Sequence, residues 1–175
     1  MTQDFLARRP ANHQPLTPLK YLERAALIHP GRTAIIHGGE RRSYAEFYAR
    51  ARRLASALAQ RGVRPGETVA TLLLNTPPML EAHYGVPMAG AVLNTLNTRL
   101  DAAGIAFILD HGEAKALLVD SALAPLARDA LARCAARPLL IEYVDPTVET
   151  ARVFADEAAD YEAFLETRSE EHTSE

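Results

Sequence analysis

Only one cysteine, Cys134, stands among the 175 residues. That excludes an internal disulfide framework and every multi-cysteine zinc or iron–sulfur pattern. No apolar run approaches the ~18 residues that a membrane span requires. The N-terminus, MTQDFLARRPANHQ, lacks the apolar core and small-residue cleavage site of a secretory signal. These absences lead us to expect a protein of the reducing cytoplasm. Glycine is scattered: all nine lie at or before Gly112, and only Gly38 and Gly39 are adjacent. A phosphate loop needs clustered glycines so that backbone N–H groups can cradle the phosphate oxygens, and neither GxGxxG nor GxxxxGKS/T is present. The Gly38 and Gly39 pair reads as a hairpin turn instead. The six histidines, at 13, 29, 37, 83, 111 and 172, form no HxH or HxxxH pair with zinc-ligand spacing. No GxSxG elbow is present for a serine nucleophile. His83, in LEAHYG, falls on an apolar helix and reads as a packing histidine. Cys134, near the end of an alanine-rich helix with no histidine close in sequence, reads as a small buried hydrophobe rather than a nucleophile.

What remains is ordinary globular composition: 48% apolar, 23% charged, net charge −3. At this length a single core can bury most of the apolar surface without a disulfide or metal staple. Charge is uneven. Residues 1–64 carry twelve Lys and Arg against four Asp and Glu, and residues 65–175 carry seven against eighteen. Arg50, Arg52, Arg53 and Arg61 lie on or beside one helical stretch, as a solvated face would. No aromatic residues interleave with them to stack bases, so nucleic acid is not an expected partner.

After a polar, proline-containing lead over residues 1–18, residues 19–29 read as a short amphipathic helix. Residues 33–37 and 41–43 flank Gly38 and Gly39 as the strands of a small N-terminal β-hairpin. Ser43 stands three residues before Glu46, the spacing of a capping box. Behind it Tyr44, Phe47, Tyr48, Ala51, Leu54, Ala55 and Leu58 recur at helical steps, closed by Gly62. The pattern then alternates. Residues 68–74 (TVATLLL), 91–96, 115–119 and 138–144 read as apolar strands. Between them, helices start at Pro77 and Pro78, at Asp101, and at Ser121 as a cap running to about Cys134. A last helix is expected over 156–166. Strands alternating with helices predict an α/β fold, a mostly parallel sheet flanked by helices.

Ligands of such sheets sit beyond the carboxyl ends of the strands, here residues 75–78, 97–101 and 120–121. Arg99 falls in the second of these loops. From local pattern alone it reads either as an anion ligand or as one more exposed loop arginine.

Residues 17–120 resemble the N-terminal part of the adenylate-forming acyl-CoA synthetases. The likeness is carried by AIIHGGERRSYAEFYARARRLASALAQRGVRPGETVATLLLNTPPMLEAHYGVPMAGAVLNTLNTRLDAAGIAFILDHGEAKALLVD. The stretch EAHYGVPMAGAVLNTLNTRL is similar to the branch acting on medium-chain or related fatty acids. The resemblance implies an ATP-dependent ligase with fatty or related carboxylic acid, ATP, Mg and CoA as its small molecules. It implies a phosphate loop of the type TSGTTGxPKG and a C-terminal domain carrying a lysine; neither occurs in this sequence. The chain is therefore expected to be an incomplete N-terminal subdomain without catalytic residues, binding none of these small molecules well by itself. The resemblance also places Arg99, in NTRL, at an arginine that contacts the phosphates of CoA in some members. Residues 19–167 form the partial subdomain. Residues 168–175, RSEEHTSE, read as the in-frame translation of a sequencing-library adapter rather than native sequence. Two other readings stand beside this one: a stand-alone α/β module that binds CoA or an acyl ligand, and a scaffold that pairs with a separate catalytic chain.

Overall fold

Five parallel strands form the central sheet of the computed structural model, which describes residue 13 and residues 16–166. The middle of the sheet is set by the most apolar runs. β3 (Thr68–Leu72) and β5 (Ala116–Asp120) pair in register, Val69 beside Ala116 through Leu72 beside Val119. Both are buried on both faces, as continuous apolar runs dictate. β4 (Val92–Thr95) lies on the outer side of β3, and β6 (Leu139–Tyr143) on the outer side of β5. A fifth strand, β7 (Ala159–Asp160), joins β6. Counted along the chain, the sheet order is 2-1-3-4-5, the flavodoxin-like doubly wound arrangement.

Helices cover both faces. α2 (Tyr44–Gln60), α3 (Pro77–Met88) and α6 (Tyr161–Glu166) pack Leu54, Leu58, Ala82, Val86, Phe164 and Leu165 onto Val69, Leu118 and Ile141. α4 (Ala102–His111) and α5 (Ala124–Leu131) pack Ile105, Leu109, Ala127 and Ala130 onto Ala70, Leu72, Leu117 and Val119. Each fully buried leucine or isoleucine contributes about 1.5–3 kcal/mol. α2 and α3 approach so closely that a Cβ on Gly85 would stand 2.8 Å from the Ala51 carbonyl oxygen, so the contact admits no side chain there. A smaller core of Leu22, Ile35, Phe47 and Ala51 joins α1 (Pro18–Ile28) and a hairpin of β1 (Thr33–His37) and β2 (Glu40–Ser43) to α2.

The hairpin, the capping box and the alternation are as the sequence predicts. Ser43 Oγ accepts from the Glu46 N–H at 3.3 Å, and the Ser43 N–H donates to Glu46 Oε2 at 2.7 Å. Gly62 takes the left-handed conformation, φ +87°, that ends α2. Three expectations need correction. The helix expected over 156–166 begins only at Tyr161, because Ala159 and Asp160 pair with β6 and a single 3-10 turn, Ala155–Glu157, precedes them. Ser121 is not the helix cap. Asp120 accepts from the Ala122 N–H at 3.0 Å, and Ser121 instead donates to Glu142 at 2.8 Å. The face carrying Arg50 is not wholly solvated: the Arg50 guanidinium turns inward onto Glu81. Most of the lead expected over 1–18, and the whole 168–175 tail, lie outside the described residues; α1 begins at Pro18.

Candidate functional site at the carboxyl rim of the sheet

The sheet order creates one switch point. From β3 the chain crosses to β4 on one side, and it returns to β5 on the other, so the carboxyl ends of β3 and β5 border a crevice with no connection across it. All three loops singled out from sequence meet along this rim. Residues 75–78 leave β3, residues 120–121 end β5, and residues 97–101 follow β4, which hydrogen-bonds to β3 through Leu96 N–H and the Thr71 carbonyl at 2.9 Å.

Arg99 sits on the β4–α4 loop with its side chain exposed. Its backbone N–H donates to Asn97 Oδ1 at 3.0 Å, an Asx-type turn that fixes the loop. Among the described residues its guanidinium makes no ion pair. Asp101, two residues on, is occupied elsewhere: its Oδ1 accepts from the Gly104 N–H at 2.8 Å and caps α4. The loop is thus held without Arg99, and the guanidinium stays available to a bidentate anion such as a phosphate. The start of α3 offers fewer donors, since Pro77 and Pro78 leave it without two of its first N–H groups.

Asp120 is the second unusual group on the rim. It is fully buried, and among the described residues Oδ2 has no hydrogen-bond partner. Burial raises its pKa above the usual carboxylate value against the pull of the Ala122 and Leu74 amides, and the nearby Asp145 carboxylate adds to the rise. Tyr143, the register partner of Asp120 on β6, also has a buried hydroxyl without a partner. Burial is the main cause of its raised pKa. The third such oxygen among the described residues, Thr150 Oγ1, lies in the loop beyond. Asp145 differs from both. Burial opposes its ionisation, but Thr147 and His37 outweigh that and hold its pKa low. His37 Nε2 meets its two oxygens at 3.0 and 2.9 Å, and Thr147 donates through N–H and Oγ–H at 2.8 Å each. This clasp ties the hairpin across the end of β6. It was invisible in sequence, since 108 residues separate its members.

Beside the crevice lies a groove of about 280 Å³, lined by Ile35, Ile36, Thr76, Met79, Leu80 and His83 among others. His83 is exposed here rather than packed in the core, with Nδ1 2.7 Å from the Met79 carbonyl oxygen. α3 is apolar on most of its surface, so periodicity could not tell which side faced out. Cys134 is buried as expected, three residues past α5, and burial pushes its thiol pKa up. Among the described residues no group of three or more His, Cys, Asp or Glu could hold a metal ion. Nor does any described segment form a glycine-rich cradle for ATP phosphates. Among the described residues no helix is long and apolar enough to cross a membrane.

A family model described as "AMP-binding enzyme" matches residues 22–174. An acetate/butyrate–CoA ligase of Arabidopsis thaliana, peroxisomal by name, is 45% identical over 94% of this chain and 31% of its own length. A peroxisomal benzoate–CoA ligase of the same plant is 45% identical over 73% of this chain and 22% of its own. Among solved structures, a benzoate CoA ligase of Burkholderia xenovorans superposes with a TM-score of 0.74 at 30% identity, over 86% of this chain and 28% of that one. The chain thus spans about a third or less of these proteins.

Proposed function

The chain belongs to the AMP-binding enzyme family, and from that premise we propose that it is the N-terminal part of an ATP-dependent acyl-CoA ligase. A carboxylate resists attack by a thiol because the charge delocalised over its two oxygens makes its carbon a poor electrophile and leaves it no good leaving group. In the proposed reaction a carboxylate oxygen displaces pyrophosphate from ATP to give an acyl-adenylate. The thiol of CoA then attacks the acyl carbon, and AMP leaves. The first step demands donors and positive charge around the phosphates. The described residues supply no such cradle, so the chemistry belongs to the complete protein rather than to these 175 residues.

The observation that carries the proposal is the family match across residues 22–174, joined to 45% identity with a named acyl-CoA ligase. For the acid, the names of the relatives favour small monocarboxylic acids, acetate, butyrate and benzoate, over the medium-chain fatty acids that the NTLNTRL region suggests. We therefore propose a small hydrophobic monocarboxylic acid. Arg99 is proposed to contact a phosphate of CoA, supported by its free guanidinium at the carboxyl end of β4. The cytoplasm stays the proposed compartment; peroxisomal names among the relatives make the peroxisome the competing outcome of a localisation assay.

The test is acid-dependent ATP–pyrophosphate exchange by the complete gene product, with acetate, butyrate, octanoate and benzoate in parallel. Exchange with one or more acids, followed by acyl-CoA formation, is expected. The 175-residue chain assayed alone should give none, and exchange well above a heat-killed control would overturn that part. CoA binding by the complete product without any exchange would instead favour a binding module. Reading the coding DNA beyond the codon for Thr167 tests the adapter reading of RSEEHTSE.

A further inference from the structure

The outer face of α1 gathers exposed apolar side chains among cations. Leu22 faces inward at 2% exposure, and Leu19, Ala25 and Ala26 flank it. The opposite face is centred on Arg24, at helical spacing from Tyr21, Leu27 and Ile28. These three are 60%, 80% and 52% exposed, and Leu16, just before the helix, is 81% exposed. Large apolar side chains on a monomer's surface are normally scattered singly, but this short segment gathers four of them. Cations surround them. Arg24 lies in the middle, Lys20 beside it, and Arg32 in the turn that follows the helix. Arg52 of α2 borders the same groove as Lys20 and Glu23. Among the described residues Arg24, Arg32 and Arg52 make no ion pair. Only Lys20 is matched, by Glu23 at 2.8 Å.

We propose that this face is a docking surface for an anionic lipid bilayer, on which α1 lies in the plane of the interface. An acidic protein groove would want charge alone, or apolar contact in a closed pocket. Here exposed apolar tips stand between long cationic side chains whose stems can lie along the acyl boundary while their heads stay at the phosphates. The charge on this face complements an anionic leaflet, with Lys20, Arg24, Arg32 and Arg52 against Glu23. A helix of eleven residues with three or four inserted side chains gives weak, reversible attachment rather than a span. The inference does not depend on the acid or on the ligase reaction.

The experiment is co-sedimentation of the complete protein with vesicles of phosphatidylcholine alone, and of phosphatidylcholine with about 30% phosphatidylserine. Binding is expected only to the anionic vesicles, falling about tenfold or more in 0.5 M NaCl, where charges are screened. The double variant Leu27→Ser with Ile28→Ser should reduce it about tenfold, and Arg24→Glu by a similar factor, with melting temperature and ligase activity unchanged. Both sites are solvent-exposed among the described residues, so neither variant disturbs their core. No sedimentation with either vesicle, or equal binding by wild type and both variants, overturns the proposal. So does salt-sensitive capture by an acidic polypeptide such as poly-glutamate that survives the Leu27→Ser, Ile28→Ser change while vesicles fail.

Discussion

The seam around Glu81 and the rim around Asp120 are both organised by a carboxylate with no solvent exposure, yet they are finished differently. Glu81, on α3, accepts from Arg42 on β2, from Arg50 Nε at 2.6 Å on α2, and from the Tyr161 hydroxyl at 2.6 Å on α6. Glu162 holds the outer side of Arg50 with two bonds, at 2.7 and 2.8 Å. Burial works against the charged Arg50 guanidinium, but its bonds to Glu162 and Glu81 outweigh that and raise its pKa. Asp120 accepts from the Ala122 amide on one oxygen, the Leu74 amide also favours its charge, and Oδ2 has no hydrogen-bond partner among the described residues. A saturated buried carboxylate fastens elements together, whereas one left with an open oxygen awaits a partner or stays neutral. The seam therefore reads as a device of stability, and the rim as a surface left unfinished among the described residues.

The largest effect should come from breaking the seam. Glu81→Gln keeps the shape but removes the buried charge, leaving Arg42 to Glu40 and Arg50 to Glu162, both of them partly exposed carboxylates. It should cost about 3–5 kcal/mol in denaturant unfolding of the complete protein. The folded fraction should keep its CoA dependence, because Glu81 bonds to Arg42, Arg50 and Tyr161 and to no residue of the β4–α4 loop. A loss under about 1 kcal/mol would reduce the seam to the standing of an exposed ion pair.

Next in size is Arg99→Ala on the rim. Losing a charge-assisted contact at a partly solvated site should cost about 1.5–3 kcal/mol of CoA binding. That is roughly a ten- to hundred-fold rise in the CoA Michaelis constant. Pyrophosphate exchange and melting temperature should hold steady, since Asn97 and Asp101 fix the loop without it. A lowered melting temperature with unchanged CoA dependence would make Arg99 a structural residue after all.

The contrast also explains what could be read in advance. Local rules sufficed where local physics decides: the Ser43–Glu46 box, the Gly38 turn at φ +56°, the TVATLLL run and the Asp101 cap each lie within a few residues of their partners. The rim could be named as three loops because parallel sheets place ligands at strand ends. Its occupants could not, since the His37–Asp145 clasp and the orphaned Asp120 oxygen depend on segments far apart in the chain. The seam was missed for the same reason. Nothing near Arg50 in sequence announces Glu81, thirty-one residues on, so its charge looked like solvated surface. β7 failed differently: two residues carry no period, and only the edge of β6 makes them a strand.

The smallest effect, and the sharpest test of the contrast, belongs to Asp120→Asn. The amide side chain can keep the Oδ1 acceptor for the Ala122 N–H while removing the buried charge. In the wild-type protein the folded pKa of Asp120 lies above its unfolded value of 3.8, chiefly from burial, with Asp145 adding to it and His37 opposing. Between the two values the native state holds a proton that the unfolded chain has released. Stability therefore falls as pH rises through that window and stays lower above it. Asp145 acts with the opposite sign, contributing stability that is lost as pH falls through its depressed folded pKa, and it is present in both proteins. The Asp120→Asn variant should thus match wild type near pH 3 and equal or exceed it at pH 7 by up to about 1 kcal/mol, read from urea unfolding at both pH values. If Asp120→Asn instead loses more than about 1 kcal/mol at pH 7, the Asp120 carboxylate is held ionised by a donor in the complete protein. The rim would then be finished in the same way as the seam.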